Sequence, residues 1–116
     1  MADPKKILIV EDDNNAREAL AEILQLEGYR TFKARNGREA LSKLNRNPDL
    51  ILLDLRMPGM GGREFLARKH HTDADSVPVF VVTASDTSDL PVRQFRKPID
   101  LQSFLAAIEQ TLKKEP

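Results

Sequence analysis

Three short apolar runs limit the folds that are open to this 116-residue chain. They are centred on ILIV, LILL and VFVV, and they predict strands at residues 5–10, 48–54 and 77–84. Apolar runs without polar alternation are typical of strands that are covered on both faces, and parallel sheets are the usual setting for such strands. The chain is therefore expected to place helices on both sides of a sheet.

Helical spacing appears between the first two strands. Asp13 or Asn14 can cap a helix at its start, and Gly28 can end it in a left-handed conformation. The apolar positions between these limits follow the i, i+3, i+4, i+7 spacing of an amphipathic helix. They are Ala16, Ala19, Leu20, Ile23 and Leu24.

Weaker signals complete the element order. Residues 29–34 and 92–97 are more polar strands, and the first of them is expected near an edge of the sheet. A turn at 36–37 precedes a short second helix, which is marked by Ala40, Leu41 and Leu44. A third helix covers about 62–71, and Asp100 is expected to cap the final helix. Strands that alternate with helices predict an α/β fold with a doubly wound parallel sheet, which binds ligands at the carboxyl ends of its strands.

The segment between the fourth and fifth strands is too short for the helix that the alternation would place there. Only nine residues, 84–92, separate the fourth and fifth strands, and they include Pro91 and no apolar stripe. A crossover that contains a helix needs about 10–12 residues. We therefore expect a loop with room for one 3₁₀ turn near residues 87–90, so that the fourth helix is shortened or absent.

Composition excludes several classes of protein. Apolar residues make up 41% of the chain, and 18 basic residues balance 18 acidic ones, which gives no general attraction for nucleic acids or membranes. Cysteine is absent, and no apolar run is long enough to span a membrane. The first residues, MADPKK, lack an apolar h-region, so no signal peptide is expected. We expect one domain over residues 1–116, with its core at about 5–113, in the cytoplasm.

Polar residues follow the predicted strands at their carboxyl ends. Glu11 and Asp12 follow the first strand and Asp54 ends the third. Thr83 ends the fourth and Lys97 the fifth. Because parallel strands share one carboxyl edge, all five side chains are expected in a single cluster there.

The chemistry of this cluster points to magnesium and phosphoryl transfer. Three close carboxylates repel one another, and a hard divalent cation such as Mg²⁺ removes that repulsion. Asp12 and Asp54 are the expected direct ligands, and Glu11 can reach the ion through water. A carboxylate, a Mg²⁺ ion, the Lys97 ammonium and the Thr83 hydroxyl are the parts that phosphoryl transfer to an aspartate requires. No other cofactor is expected.

Four segments, ILIVEDD, LILLDLRMPGMGG, VFVVTAS and FRKPID, together resemble the receiver domain of bacterial two-component response regulators. The resemblance covers about residues 5–113. It implies a flavodoxin-like sheet of five strands in the order 2-1-3-4-5, with helices on both faces.

The resemblance also implies a role for each site residue. Asp54 matches the phospho-acceptor of the family, and Lys97 matches the lysine that pairs with the phosphate, in a cis peptide bond to Pro98. Thr83 matches the switch hydroxyl. Glu11 and Asp12 match the acidic pair, and the backbone carbonyl of Arg56 matches the third protein ligand to Mg²⁺.

Three departures from the family concern the output of the signal. The fourth helix is missing, Gln94 stands where an aromatic switch residue is usual, and Gly61 stands where an acidic residue is usual. Phe95, next to Gln94, is expected to face the core instead. His70 and His71 are expected to be solvated residues near a helix C-terminus rather than relay groups.

We therefore expect a phospho-accepting signalling module and not an enzyme, apart from its own phosphorylation and slow self-dephosphorylation. A sensor histidine kinase or a histidine phosphotransfer protein would supply the phosphoryl group, the output partner is unknown, and the domain is expected to be a monomer or weak dimer. The alternative is a pseudo-receiver that binds partners independently of phosphorylation. A small Mg²⁺ phosphohydrolase ranks last, because a second acid–base group and a substrate pocket are missing from the pattern.

Overall fold

The computed structural model describes residues 3–84 and 90–113. Five strands of this part form one parallel sheet in the order β2-β1-β3-β4-β5, as predicted. The strands are β1 (Lys6–Val10), β2 (Arg30–Ala34), β3 (Leu50–Leu53), β4 (Val79–Thr83) and β5 (Arg93–Arg96). The helices are α1 (Asn14–Leu26), α2 (Gly37–Ser42), α3 (Gly62–Lys69) and α4 (Leu101–Leu112), with a 3₁₀ turn at Leu44–Arg46.

Alternate residues of each central strand face two separate apolar layers. Ile7 and Ile9 pack on one side, against α1 and α4, whereas Leu8 and Val10 pack on the other, against α2 and α3. All four side chains are at most 1% exposed. Burial of one such side chain contributes about 1.5–3 kcal/mol to folding, so both layers are needed to hold the sheet.

The aromatic residues fill these layers as the sequence indicates. Phe80, Phe95 and Phe104 lie in contact on the α1 and α4 side, with ring centroids 5.1 and 4.9 Å apart along the row. Phe65 is fully buried in the opposite layer. The prediction that Phe95 faces the core is confirmed.

The chain between β4 and β5 contains no helix among its described residues, 84 and 90–92. Leu90 and Val92 are partly buried and pack on the α2 and α3 side of the core. The expected 3₁₀ turn falls mainly on residues 85–89, which lie outside the described part. The fold is thus a receiver-like sheet whose fourth helix is shortened or absent.

Local capping differs from the predictions at two helices. Asn36 does not form a separate turn: its side chain accepts a hydrogen bond of 2.8 Å from the Glu39 N–H and caps α2, which Gly37 begins. Asp100 precedes α4 as expected, but its carboxylate accepts a bond of 2.7 Å from Ser103 Oγ rather than from the backbone. At α1 the cap is Asp13, and Gly28 follows the helix with φ of 95°.

Two predicted boundaries extend too far. Helix α3 ends at Lys69 rather than at 71, and Leu44 lies in a 3₁₀ turn rather than in α2. Such end residues fray or tighten according to their hydrogen bonds, which sequence periodicity does not register. In the part of the chain that the structure describes, no helix is long and apolar enough to cross a membrane.

Candidate functional site

The carboxyl edge of the sheet gathers the predicted site residues. Glu11 and Asp12 directly follow β1, Asp54 follows β3, Thr83 ends β4, and Lys97 follows β5. The central position of β1 and β3 in the sheet places the acidic residues between α1 and the loop that leads to α3. The strand order therefore brings together residues that are up to 86 positions apart in sequence.

Three carboxylates crowd this edge. Oxygens of Glu11, Asp12 and Asp54 all lie within 4.8 Å of one another. Glu11 and Asp54 are only 7% and 8% exposed, whereas Asp12 is open to solvent. Carboxylate oxygens with an open side for water are the ligands that Mg²⁺ prefers, so the residues present fit this ion.

Lys97 lies next to the two buried acids. Its Nζ is 2.9 Å from Glu11 Oε1 and 3.4 Å from Asp54 Oδ2. Its backbone N–H donates to the Thr83 carbonyl at 3.0 Å, and its peptide bond to Pro98 is cis, as the resemblance implied. The ammonium is thus fixed next to the oxygen that would receive a phosphoryl group.

The charges perturb one another. Burial raises the pKa of Glu11 above its ordinary range, and the charge of Asp54 adds to this rise, although hydrogen bonds from Lys97 and the Asp13 N–H oppose it. Burial alone would lower the pKa of Lys97, but its hydrogen bonds to the two carboxylates outweigh that effect and raise the pKa. One ammonium therefore partly compensates an excess of negative charge.

Thr83 and Arg56 lie beside the acceptor in different ways. Thr83 is 2% exposed and is joined to Lys97 through its backbone carbonyl. Arg56 has an exposed side chain, and its backbone N–H donates to Asp54 Oδ1 at 3.2 Å. The roles assigned to the Thr83 hydroxyl and the Arg56 carbonyl stay predictions.

The loop from β3 to α3 is held by close backbone contacts. The Gly62 N–H donates to the Leu55 carbonyl, and the Gly37 N–H donates to the Met60 carbonyl, both at 3.1 Å. A Cβ atom on Gly62 would lie 2.7 Å from the Leu55 Cα. The glycines thus let the loop turn sharply away from Asp54, which leaves its carboxylate at the edge of the sheet.

One residue of this region escaped the sequence analysis. Arg17 is only 8% exposed, and its guanidinium contacts the backbone that carries Glu11 and Asp12. The helical spacing contained a signal for this burial, since positions 17, 21 and 24 share one face of α1. These three positions are the buried ones of that helix. The sequence analysis assigned no role to the arginine that lies in line with Ala21 and Leu24.

The two histidines lie far from the acidic residues along α3, at its C-terminal end. Both are exposed, and His70 Nδ1 is 3.0 Å from Asp75 Oδ1. Gln94, at the position usual for an aromatic residue, donates from Nε2 to the Leu90 carbonyl at 3.3 Å. Gly61 precedes α3 and supplies no side-chain cap.

A cleft of about 510 Å³ opens beside the acids. Glu11, Asp54 and Lys97 are among its lining residues, and the lining is otherwise mainly apolar. Residues of α1 form one wall and residues that follow β5 form the other. They are Ala16, Ala19, Leu20, Ile23, Pro98, Ile99 and Leu101.

Comparison with known proteins assigns this arrangement to a family. The family model described as "Response regulator receiver domain" matches residues 7–109. The chain belongs to this family of receiver domains. It is therefore a phospho-accepting signalling module of a two-component phosphorelay, and the pseudo-receiver alternative is not favoured, because the acidic cluster is intact.

Curated relatives of this receiver differ in length. The chain is 37% identical to the sporulation initiation phosphotransferase F of Bacillus subtilis, and the alignment covers 93% of this chain and 94% of that protein. It is 33% identical to the response regulator MprA of Mycolicibacterium vanbaalenii, covering 96% of the chain and 52% of the relative. It is 35% identical to a cyclic di-GMP phosphodiesterase of Thermotoga maritima, over 92% of the chain but 31% of the relative. The receiver thus matches only a part of these last two proteins.

Solved structures show the same fold. The response regulator TrrA of Thermotoga maritima, in complex with Mg²⁺ and beryllium fluoride, aligns with a TM-score of 0.84 at 35% identity, over 93% of this chain and 99% of that one. The chemotaxis protein CheY4 of Vibrio cholerae gives 0.84 at 27% identity, over 94% and 99%. Both support the five-stranded receiver architecture.

Proposed function

We propose that Asp54 of this receiver accepts a phosphoryl group from a phosphohistidine of a sensor histidine kinase or a histidine phosphotransfer protein. A carboxylate oxygen of Asp54 forms the new bond to phosphorus. The phosphorus–nitrogen bond of the donor breaks, and the imidazole nitrogen keeps the electron pair. The observation that supports this role is the placement of Asp54, between two further carboxylates within 4.8 Å and the Lys97 ammonium at 3.4 Å.

The charges around Asp54 supply what the transfer needs. Asp12, Asp54 and the Arg56 carbonyl would hold Mg²⁺ directly, with Glu11 acting through water. Bound there, the ion would neutralise negative charge on the transferring oxygens. Lys97, whose Nζ lies 3.4 Å from Asp54 Oδ2, would pair with the phosphoryl group, and the Thr83 hydroxyl would donate to one of the phosphoryl oxygens.

The cleft beside the acids offers a place for the donor. Its apolar lining can bury residues that flank the donor histidine, and Asp54 itself belongs to that lining. A phosphoryl donor must bring its reacting atoms to within about 3–3.5 Å of the acceptor, so a contact surface directly next to Asp54 is favourable. Leu101 supports this use, since it is apolar and 41% exposed.

The response of the domain follows from the same contacts. Phosphorylation adds charge next to Thr83 and Lys97, which changes the local balance and biases a two-state surface. We propose one receiver domain that acts in the cytoplasm as a monomer or weak dimer. Its own catalysis is limited to Mg²⁺-dependent phosphorylation and slow self-dephosphorylation, and its signal leaves by a surface without the usual fourth helix.

Amide NMR with beryllofluoride, a phosphoryl mimic, tests this proposal. The chain contains no tryptophan, so fluorescence is a poor probe. With Mg²⁺ and beryllofluoride together, we expect shifts of the Glu11, Asp54 and Thr83 amides, and we expect EDTA to reverse them. A chain that shows no shifts under these conditions would be a pseudo-receiver.

A further inference from the structure

Arg17 is a charged side chain that the proposed transfer does not use. It lies on the buried face of α1, in line with Ala21 and Leu24, and is only 8% exposed. A buried guanidinium is costly unless its donors are paired. Its partners therefore show what the residue does.

The guanidinium bonds to the turn between β1 and α1 and to Asn14, the first residue of α1. Nη1 donates to the Glu11 carbonyl at 2.8 Å and makes a longer contact of 3.5 Å with the Asp12 carbonyl. Nη2 donates to the Asn14 side chain. One planar group thus spans the whole turn that carries two of the three carboxylates.

The two acidic residues depend on this turn to different extents. Glu11 has further contacts: its backbone N–H donates to the Ala34 carbonyl, and its carboxylate accepts hydrogen bonds from Lys97 Nζ and from the Asp13 N–H. The Asp12 side chain is exposed, so the backbone direction of the turn determines where its carboxylate points. Loss of the Arg17 contacts would release the Asp12 backbone before that of Glu11.

We propose that Arg17 is a positioning residue for the metal site: its fork holds the β1–α1 turn so that Asp12 and Glu11 meet the ion next to Asp54. This inference rests on the proposed Mg²⁺-dependent function. Groups that orient metal ligands typically change metal affinity by about 10–100-fold when they are removed. Arg17 would act through the backbone of the ligands, without contact to the ion.

Lys69 provides a matched control at the opposite end of the fold. It is also a buried cation on a helix, 5% exposed, and its Nζ donates to the Asp75 carbonyl at 2.8 Å. Lys69→Met therefore removes a buried charge and a bond to a backbone carbonyl, as Arg17→Met does. Only the arginine contacts the turn of the acidic residues.

The test is the Mg²⁺ dissociation constant, measured by amide NMR titration on folded wild type, Arg17→Met, Arg17→Lys and Lys69→Met. We expect Arg17→Met to weaken Mg²⁺ binding about tenfold. We expect Arg17→Lys, which keeps the charge and can hold only one of the acceptors, to weaken it about threefold. Lys69→Met should stay within twofold of wild type.

Each result has one meaning. Binding within twofold of wild type in Arg17→Met overturns the inference, as does equal weakening in Lys69→Met. If Arg17→Met does not fold, the Mg²⁺ affinity of Arg17→Lys is the deciding measurement. Wild-type affinity in Arg17→Lys would overturn the positioning role of the Arg17 guanidinium. A wild-type protein that binds no Mg²⁺ would instead contradict the proposed function itself.

Discussion

The two ends of the sheet treat charge in opposite ways. At the amino end, the Lys6 N–H donates to Asp49 Oδ2 at 2.8 Å, and Lys69 Nζ donates to the Asp75 carbonyl at 2.8 Å. At the carboxyl end, three carboxylates lie within 4.8 Å of one another. At the amino end, these two charged groups bond to the backbone, whereas at the carboxyl end carboxylates of like charge lie close together.

This difference separates residues that stabilise the fold from residues that react. Each of these two groups at the amino end has a backbone partner within the chain, so it presents no repulsion between like charges. The carboxyl end retains electrostatic repulsion that a cation can relieve, so binding energy is available there. Substitutions of the same chemical type should therefore give different results at the two ends.

The largest expected effect compares two aspartates. Asp54→Asn should lower phosphoryl transfer from a small-molecule donor by about 10³-fold or more, because an amide is a poor nucleophile. Asp49→Asn should stay within twofold of wild type, since an amide oxygen can still accept the bond from the Lys6 N–H. Acyl phosphate formed per minute in the presence of Mg²⁺ is the measurement, and equal rates in both variants would remove the distinction between the ends.

The next effect concerns the rigidity of the carboxyl end. Gly62→Ala should lower the free energy of unfolding by about 3 kcal/mol, because the new Cβ would lie 2.7 Å from the Leu55 backbone and overpack the loop. Gly61→Ala, whose Cβ would meet its nearest neighbour at 3.5 Å, should cost about 1 kcal/mol or less. Urea denaturation of both variants measures the difference, and similar losses would show that the loop yields.

The smallest effect compares two lysines. Lys97→Met should lower the free energy of unfolding by about 2 kcal/mol at neutral pH, because Lys97 Nζ no longer donates charged hydrogen bonds to the Glu11 and Asp54 carboxylates. The pKa of Lys97 is raised by these carboxylates, so the stability it provides is complete below about pH 10.4 and is lost as the pH rises through the raised value. Burial lowers the pKa of Lys69, so the wild-type chain should gain stability over Lys69→Met as the pH rises toward about 10.4.

Urea denaturation from pH 8 to 11.5, with each variant subtracted from wild type, reports these two slopes. The subtraction removes the contribution of Tyr29, whose pKa is raised mainly by burial. Slopes of opposite sign are the expected result. Slopes of the same sign would show that the two ends do not differ in how they hold a lysine.

Sequence patterns predicted most of the fold because apolar runs and helical spacing are local. The runs at 5–10, 48–54 and 77–84 contain the three central strands, and the polar residues that follow them lie at one edge. The strand order itself came from the resemblance, since hydrophobic patterns do not state which strands are neighbours. The 84–92 segment likewise predicted a shortened or absent fourth helix from its length, its Pro91 and its lack of an apolar stripe.

The remaining features depend on contacts that a pattern does not contain. The partner of Asp100 is Ser103 rather than the backbone, and Asn36 caps α2 because its side chain reaches the Glu39 N–H. Helical spacing places Arg17 in line with Ala21 and Leu24, but its partners follow only from the packing of α1 on the sheet, where the guanidinium meets the carbonyls of the turn. Each case is decided by geometry across a turn or between elements.

The two apolar layers of the sheet determine where the chain tolerates changes in length. In β3, Leu50 and Leu52 face one layer while Ile51 and Leu53 face the other. Deletion of a single residue in β3 would move the following side chains of the strand to the opposite face of the sheet. It would also turn the Asp54 carboxylate away from its neighbours. A connection between strands carries no such parity, so the 84–92 segment can be too short for a full crossover helix while the reacting groups keep their places.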